Sequence, residues 1–170
     1  MVLRTLIKNV PLLALLIALS NTYGFGQEPS TSTLKCEYLN GYWVLSIKAQ
    51  NSMASSTLKA ADPALDLSEL GVRGYHDLYK SYLSEHLTLV IDGDTLPLNF
   101  VALEMNSAKA NGQFISERLS APGTIIGVKS DAFSILGKHS TKLNVILDDE
   151  KHSLWLNADN NFEGRVKLKH

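Results

Sequence analysis

The side chains best suited to chemistry are His76, His86, His139, His152 and His170. No two stand at the i, i+3 or i+4 spacing that would set metal ligands on one helix face. No H-E-x-x-H, C-x-x-C or H-x-H occurs either. A metal site would need ligands from distant loops, so surface or helix-end histidines are the expectation. Asn157, Asp159, Asn161 and Glu163 alternate oxygen-bearing side chains, as a calcium loop does. The sixth place of such a loop needs glycine for its sharp turn, and here it is Phe162. A polar turn before a last strand is expected instead. Asp148, Asp149 and Glu150 are consecutive carboxylates. Glycosidase pairs act across a gap that adjacency in one turn does not supply, which leaves a solvated hairpin tip. No G-x-S-x-G elbow is present. The reading assigns no catalytic residue, no cofactor and no metal.

Two further residues stand out. Cys36 is the single cysteine, so no internal disulfide can form, and the thiol is either buried or an intermolecular link. Trp155 lies between Leu154 and Leu156. If the leucines face a core, Trp155 faces away, beside Ile146. An outward tryptophan is either covered by the chain itself or offered as a partner platform. Trp155 and Ile146 are therefore the candidate partner surface.

The elements that would position these residues follow from pattern. Asn40-Gly41 separates two strand-like runs, and Asn-Gly suits a hairpin turn whose central residues need positive φ. Placing Leu39 opposite Tyr42 sets Tyr38 against Trp43, Cys36 against Leu45 and Leu34 against Ile47, all on one face. Ser52–Ala61 could hold a short helix that Asp62-Pro63 ends. Tyr75, Leu78, Tyr79, Tyr82, Leu83 and His86 follow helical spacing, which predicts a main helix over about 75–86. Leu87–Ile91, Asp92-Gly93 and Leu96–Phe100 read as a second hairpin, with Pro97 at an edge. Further strands are expected at 113–119, 124–129, 142–147, 153–157 and 165–169, and a helical turn at 132–136. Short strands at such intervals, with no strand-helix alternation, suggest a sandwich or a barrel, and the reading adopted is a mostly antiparallel β-sandwich.

The chain also carries an address. Arg4 and Lys8 precede an apolar run from Val10 to Leu19, and Gly24 and Gly26 follow. That is the build of a secretory signal peptide over residues 1–26. The run is half the roughly 20 residues that a membrane span needs, so no stable span is expected after cleavage, the competing reading being a retained anchor. Cys36 lies ten residues beyond Gly26, which argues against lipidation. Residues 27–32 are expected to be a flexible lead-in, and 33–170 one domain. Without residues 1–26, fourteen basic residues face seventeen acidic ones. No basic run survives, which makes nucleic acid and anionic membrane poor partners.

Tyr79-Lys-Ser-Tyr82-Leu83-Ser-Glu-His86-Leu87, running into an Asp92-Gly93 turn and Leu96-Pro-Leu98, resembles a family of small exported domains of unknown function. More loosely, it is similar to the extracellular domain before the membrane part of hydrogenase- and urease-accessory metal permeases. The later strand pair from Lys142 to Leu156 continues the likeness, over about residues 33–168. The resemblance implies an immunoglobulin-like β-sandwich and brings no catalytic residues. Members often begin with a histidine-containing segment, where this chain has Ser-Thr-Ser-Thr-Leu. The expectation is an exported, non-catalytic binding domain, periplasmic or extracellular, with a protein partner in the cell envelope. The alternative is a small envelope hydrolase or metal-handling protein with a loop-built site.

Overall fold

A computed structural model describes residues 30–168; the expected signal peptide lies outside them. The hydrophobic alternation of the first strands closes into a hairpin of β1 (Ser30–Leu39) and β2 (Tyr42–Gln50). Its register is Leu34 opposite Ile47, Cys36 opposite Leu45 and Tyr38 opposite Trp43. The turn works because Asn40 and Gly41 take φ of 53° and 92°, the left-handed values that match strand twist.

Two helices follow, the short one read at Ser52–Ala61 and the main one expected over about 75–86. The first, α1 (Asn51–Ala61), buries Met53, Ala54, Thr57 and Leu58. The second, α2 (Gly71–Glu85), buries Tyr79 and Leu83. It starts four residues before the expected Tyr75, and His86 is its C-cap. The chain then makes β3 (Leu87–Ile91) and β4 (Asp94–Leu96) around Asp92-Gly93.

The second hairpin is shorter than its alternation suggests. The β3–β4 ladder stops at Leu96, because Pro97 has no N–H to donate. Beyond it, β5 (Leu98–Met105) crosses to the other sheet and pairs with β6 (Lys109–Ser116). The remaining strands are β7 (Ile125–Ser130), β8 (His139–Leu147), β9 (Glu150–Leu156) and β10 (Glu163–Lys167).

The strands form two sheets. One has six strands in the order β5-β6-β2-β1-β8-β9, the other four in the order β10-β7-β3-β4. Every pairing is antiparallel except β1 with β8, which is parallel. That exception corrects the end of the lead-in expected at 27–32, of which 27–29 lie outside the described residues. Ser30, Thr31 and Ser32 are strand residues, paired with His139, Ser140 and Thr141. Their hydroxyls have partners in β8, as shown below, and that outweighs the polar character that reads as a loop.

One hydrophobic core lies between the sheets. The six-stranded sheet contributes Leu34, Cys36, Trp43, Leu45, Phe114 and Leu143, all at most 1% exposed. Leu89, Ile126, Val128 and Val166 come from the four-stranded sheet. The helices reach the same inner side: a Cβ at Gly112 in β6 would lie 2.7 Å from Leu83 Cδ1 of α2. The fold is a mostly β, two-sheet sandwich, with the helices adding to the cover of its wider sheet.

Candidate functional site

Alternation that turns leucines and aromatics inward on the wide sheet turns a second set of residues outward. Register aligns that set into rows across the strands. One row runs Glu104, Asn111, Lys48, Thr33, Lys142, Trp155. The next runs Ala102, Gln113, Ser46, Lys35, Asn144, Ser153. A third runs Asn99, Ile115, Val44, Glu37, Ile146, Lys151. With strands about 4.8 Å apart, each row is about 24 Å long.

Trp155 stands at the β9 end of the first row and is 49% exposed. The β8–β9 hairpin turns through Asp148, at φ 51°, and sets Leu154 opposite Leu143 and Trp155 opposite Lys142. Asn160 Nδ2 donates to the Trp155 carbonyl at 2.7 Å, fixing the strand end. Ile146 shares the face but lies two rows away, opposite Lys151 and half-buried. The two candidate residues thus share a surface without being cross-strand neighbours, and Lys142 is the residue beside the indole.

Polar side chains on this face are held by each other. Ser46 Oγ donates to Asn111 Oδ1 at 2.8 Å, and Ser153 Oγ to Asn144 Oδ1 at 2.8 Å. Lys35 pairs with Glu37 at 2.6 Å. No sequence signal announces the lysines as a group, because they lie far apart in the chain and only cross-strand register collects them.

Two histidine clusters lie elsewhere. His86 Nδ1 is 2.8 Å from Asp131 Oδ1, and Lys129 Nζ is 3.4 Å from the other carboxylate oxygen. Partial burial raises the Asp131 carboxyl, but hydrogen bonds from His86 and Lys129 outweigh it and hold the group below the ordinary carboxylate range. The Tyr82 ring lies 4.3 Å from the His86 ring, and its hydroxyl donates to the Ala132 carbonyl. Burial first, then the Asp131 charge, pushes that phenol up to about 12. A base with an orienting carboxylate needs a nucleophile within hydrogen-bond reach. Among the described residues no hydroxyl is hydrogen-bonded to the His86 ring, and the neighbouring Ser130 Oγ is buried without a partner.

His139 is 3% exposed. Its Nδ1 meets Ser30 Oγ at 2.9 Å, and its Nε2 meets Ser32 Oγ at 3.0 Å and Thr141 Oγ1 at 3.1 Å. Burial lowers its pKa to about 4, so the ring is neutral near pH 7 and ties β1 to β8. Next to it, α1 and the turn over 134–138 border a groove of about 560 Å³, touched by Ser52, Met53, Ser56, Ile135 and Lys138. Lys138 is the single charged residue among the described residues of its lining.

Asn157, Asp159, Asn161 and Glu163 are not gathered around a cavity. The Asn157 side chain accepts from Asp159 N, and Asn160 Oδ1 accepts from Asn157 N. This closed turn leads through Asn161 and Phe162, both at positive φ, into β10. Asp148 sits at the hairpin tip, where Asp148, Asp149 and Glu150 are all exposed. Among the described residues no three His, Cys, Asp or Glu side chains are grouped to hold a metal ion. No helix among them is long and apolar enough to cross a membrane. Compared with known proteins, the chain matches no family model and no curated protein.

Proposed function

We propose that this chain is an exported, non-catalytic binding domain that docks a component of the cell envelope on the outer face of its six-stranded sheet. The observation that carries the reading is Trp155, a half-exposed indole on an open sheet face rather than under a loop or helix. A tryptophan presents 150–250 Å². Covering the exposed half of that at about 25 cal/mol/Å² would contribute about 2–3 kcal/mol to a complex. The immunoglobulin-like kinship belongs to the same proposal; two facing sheets and tight antiparallel hairpins support it. Export rests on the signal-peptide pattern of residues 1–26.

The test uses retention of cell-envelope fractions by the mature chain, before and after Trp155→Ala. Retention should fall by about 30–150-fold, the factor equivalent to 2–3 kcal/mol, while the melting temperature stays within about 2 °C. A melting temperature that drops with retention unchanged would assign Trp155 to stability instead. A hydrolytic activity lost on changing His86 or Asp131 would replace the binding reading by the enzymatic one.

A further inference from the structure

Five lysines meet on the outer face of the six-stranded sheet. Lys35, Lys48, Lys109, Lys142 and Lys151 all point outward and are exposed, against Glu37 and Glu104 on the same strands' outward positions. The whole chain has a net charge of −1, so this face is a local reversal of sign. Glu37 neutralises Lys35 at 2.6 Å. Lys48, Lys109, Lys142 and Lys151 form no salt bridge among the described residues. Lys48 and Lys142 share the row that ends at Trp155, with Thr33 between them, about 10 Å apart across two strand spacings.

We infer that this face binds an acidic polysaccharide, a chain of sugars bearing carboxylates at intervals. This rests on the binding reading above and names its ligand class. Three features select that chemistry. The surface is an open sheet face about 24 Å across, long enough for an extended chain to lie over it. Between the lysines stand uncharged hydroxyls and amides, Ser46, Asn111, Gln113 and Ser153, with Asn144 beside Ser153 but only 8% exposed. Two pairs of these are already aligned by hydrogen bonds at 2.8 Å. Such groups can exchange hydrogen bonds with sugar hydroxyls at small ordering cost. The third is the half-exposed indole of Trp155, whose face suits the C–H side of a sugar ring.

The charges also argue against two rivals. The face holds lysine and no arginine, so it offers spaced point charges rather than planar forks that match phosphates. Nucleic acid binding of a single strand relies on several stacking aromatics along a charged groove; here Trp155 is the one exposed aromatic among the described residues of the face, and Tyr42, half-buried, lies three rows away at the β1–β2 turn. A lipid surface would be met by an exposed apolar stripe under the basic residues; Val44, Ile115 and Ile146 of the third row are half-buried, and the two rows that carry Lys35, Lys48 and Lys142 interleave lysine with amide and hydroxyl.

The experiment measures binding of the mature chain to polygalacturonate by isothermal titration at low and moderate salt. Dextran, single-stranded DNA and phosphatidylglycerol vesicles serve as competing probes. Polygalacturonate should bind most tightly, with affinity falling as salt rises, and dextran should bind at least tenfold more weakly. Lys48→Gln with Lys142→Gln should weaken binding at least tenfold, and Trp155→Ala about as much. Lys59→Gln with Lys167→Gln, the same charge change elsewhere, should stay within twofold. Thermal melting shows that each variant is folded. Equal losses in both double variants, or tighter binding of DNA or vesicles, overturns the inference. No binding to polygalacturonate overturns it too. If envelope fractions are then still retained in a Trp155-dependent way, the binding reading survives and only the ligand class is wrong.

Discussion

Acid should loosen this protein through His139. Burial holds its imidazole at about 4, against about 6.5 in an unfolded chain. The folded pKa lies below the unfolded one, so as pH falls the unfolded chain takes up the proton first. Stability is complete above about pH 6.5 and is lost as pH falls toward 4. At 1.36 kcal/mol for each pKa unit, the loss from pH 7 to pH 4 is about 3 kcal/mol. That is a large share of the 5–15 kcal/mol that domains typically have. The ring's partners explain the size: Ser30, Ser32 and Thr141 offer hydroxyls, and among the described residues no carboxylate is hydrogen-bonded to it to balance a positive charge. Urea unfolding followed by Trp43 fluorescence, at pH 7, 6, 5 and 4, measures the effect on the native chain and on His139→Gln. Carboxylate titrations common to both cancel in the difference. The stability advantage of the native chain over the variant should shrink by about 3 kcal/mol from pH 7 to pH 4. A difference that does not change with pH would refute the buried, neutral histidine.

Two further outcomes concern the core. Cys36 is fully buried, and burial pushes its thiol up; labelling with a thiol reagent should be slow in the native protein and fast in denaturant, and Cys36→Ser should cost about 1–3 kcal/mol in urea unfolding. Leu83→Ala on the buried face of α2 should cost about 2–5 kcal/mol, while Lys80→Ala, whose Nζ lies 5.1 Å from the Phe100 ring centroid, should cost no more than about 1 kcal/mol by loss of the cation–π contact; equal effects would mean that the face is misassigned.

Local signals were legible and distant ones were not. Asn40-Gly41 fixes a turn, the alternation around it fixes a face, and both select the register seen between β1 and β2. The Trp155 orientation followed from the same period of two. The parallel contact of β1 with β8 left no local trace, because it joins Ser30 to His139 across 109 positions. Its strand start therefore read as a polar lead-in. Pro97 was legible as an edge signal, but the transfer of the following strand to the other sheet depends on where β6 lies. The lysine face is the same kind of case. Lys48 and Lys142 each look like ordinary solvated positions, and only the β1 strand between β2 and β8 brings them into one row. Trp155 and Ile146 were the parts of the candidate face visible in advance.

The central position of β1 also sets an order of events. It is the first described strand, yet one of its two neighbours, β8, begins only at His139. The wide sheet cannot close until most of the chain has been made. Contacts this distant in sequence slow folding, because a long loop must be ordered before they form. For a protein proposed to leave the cell, that delay is useful: the chain stays threadable while its C-terminal strands are still being synthesised. The clasp of Ser30 and Ser32 on His139 then closes late, joining the first strand to the last third of the chain.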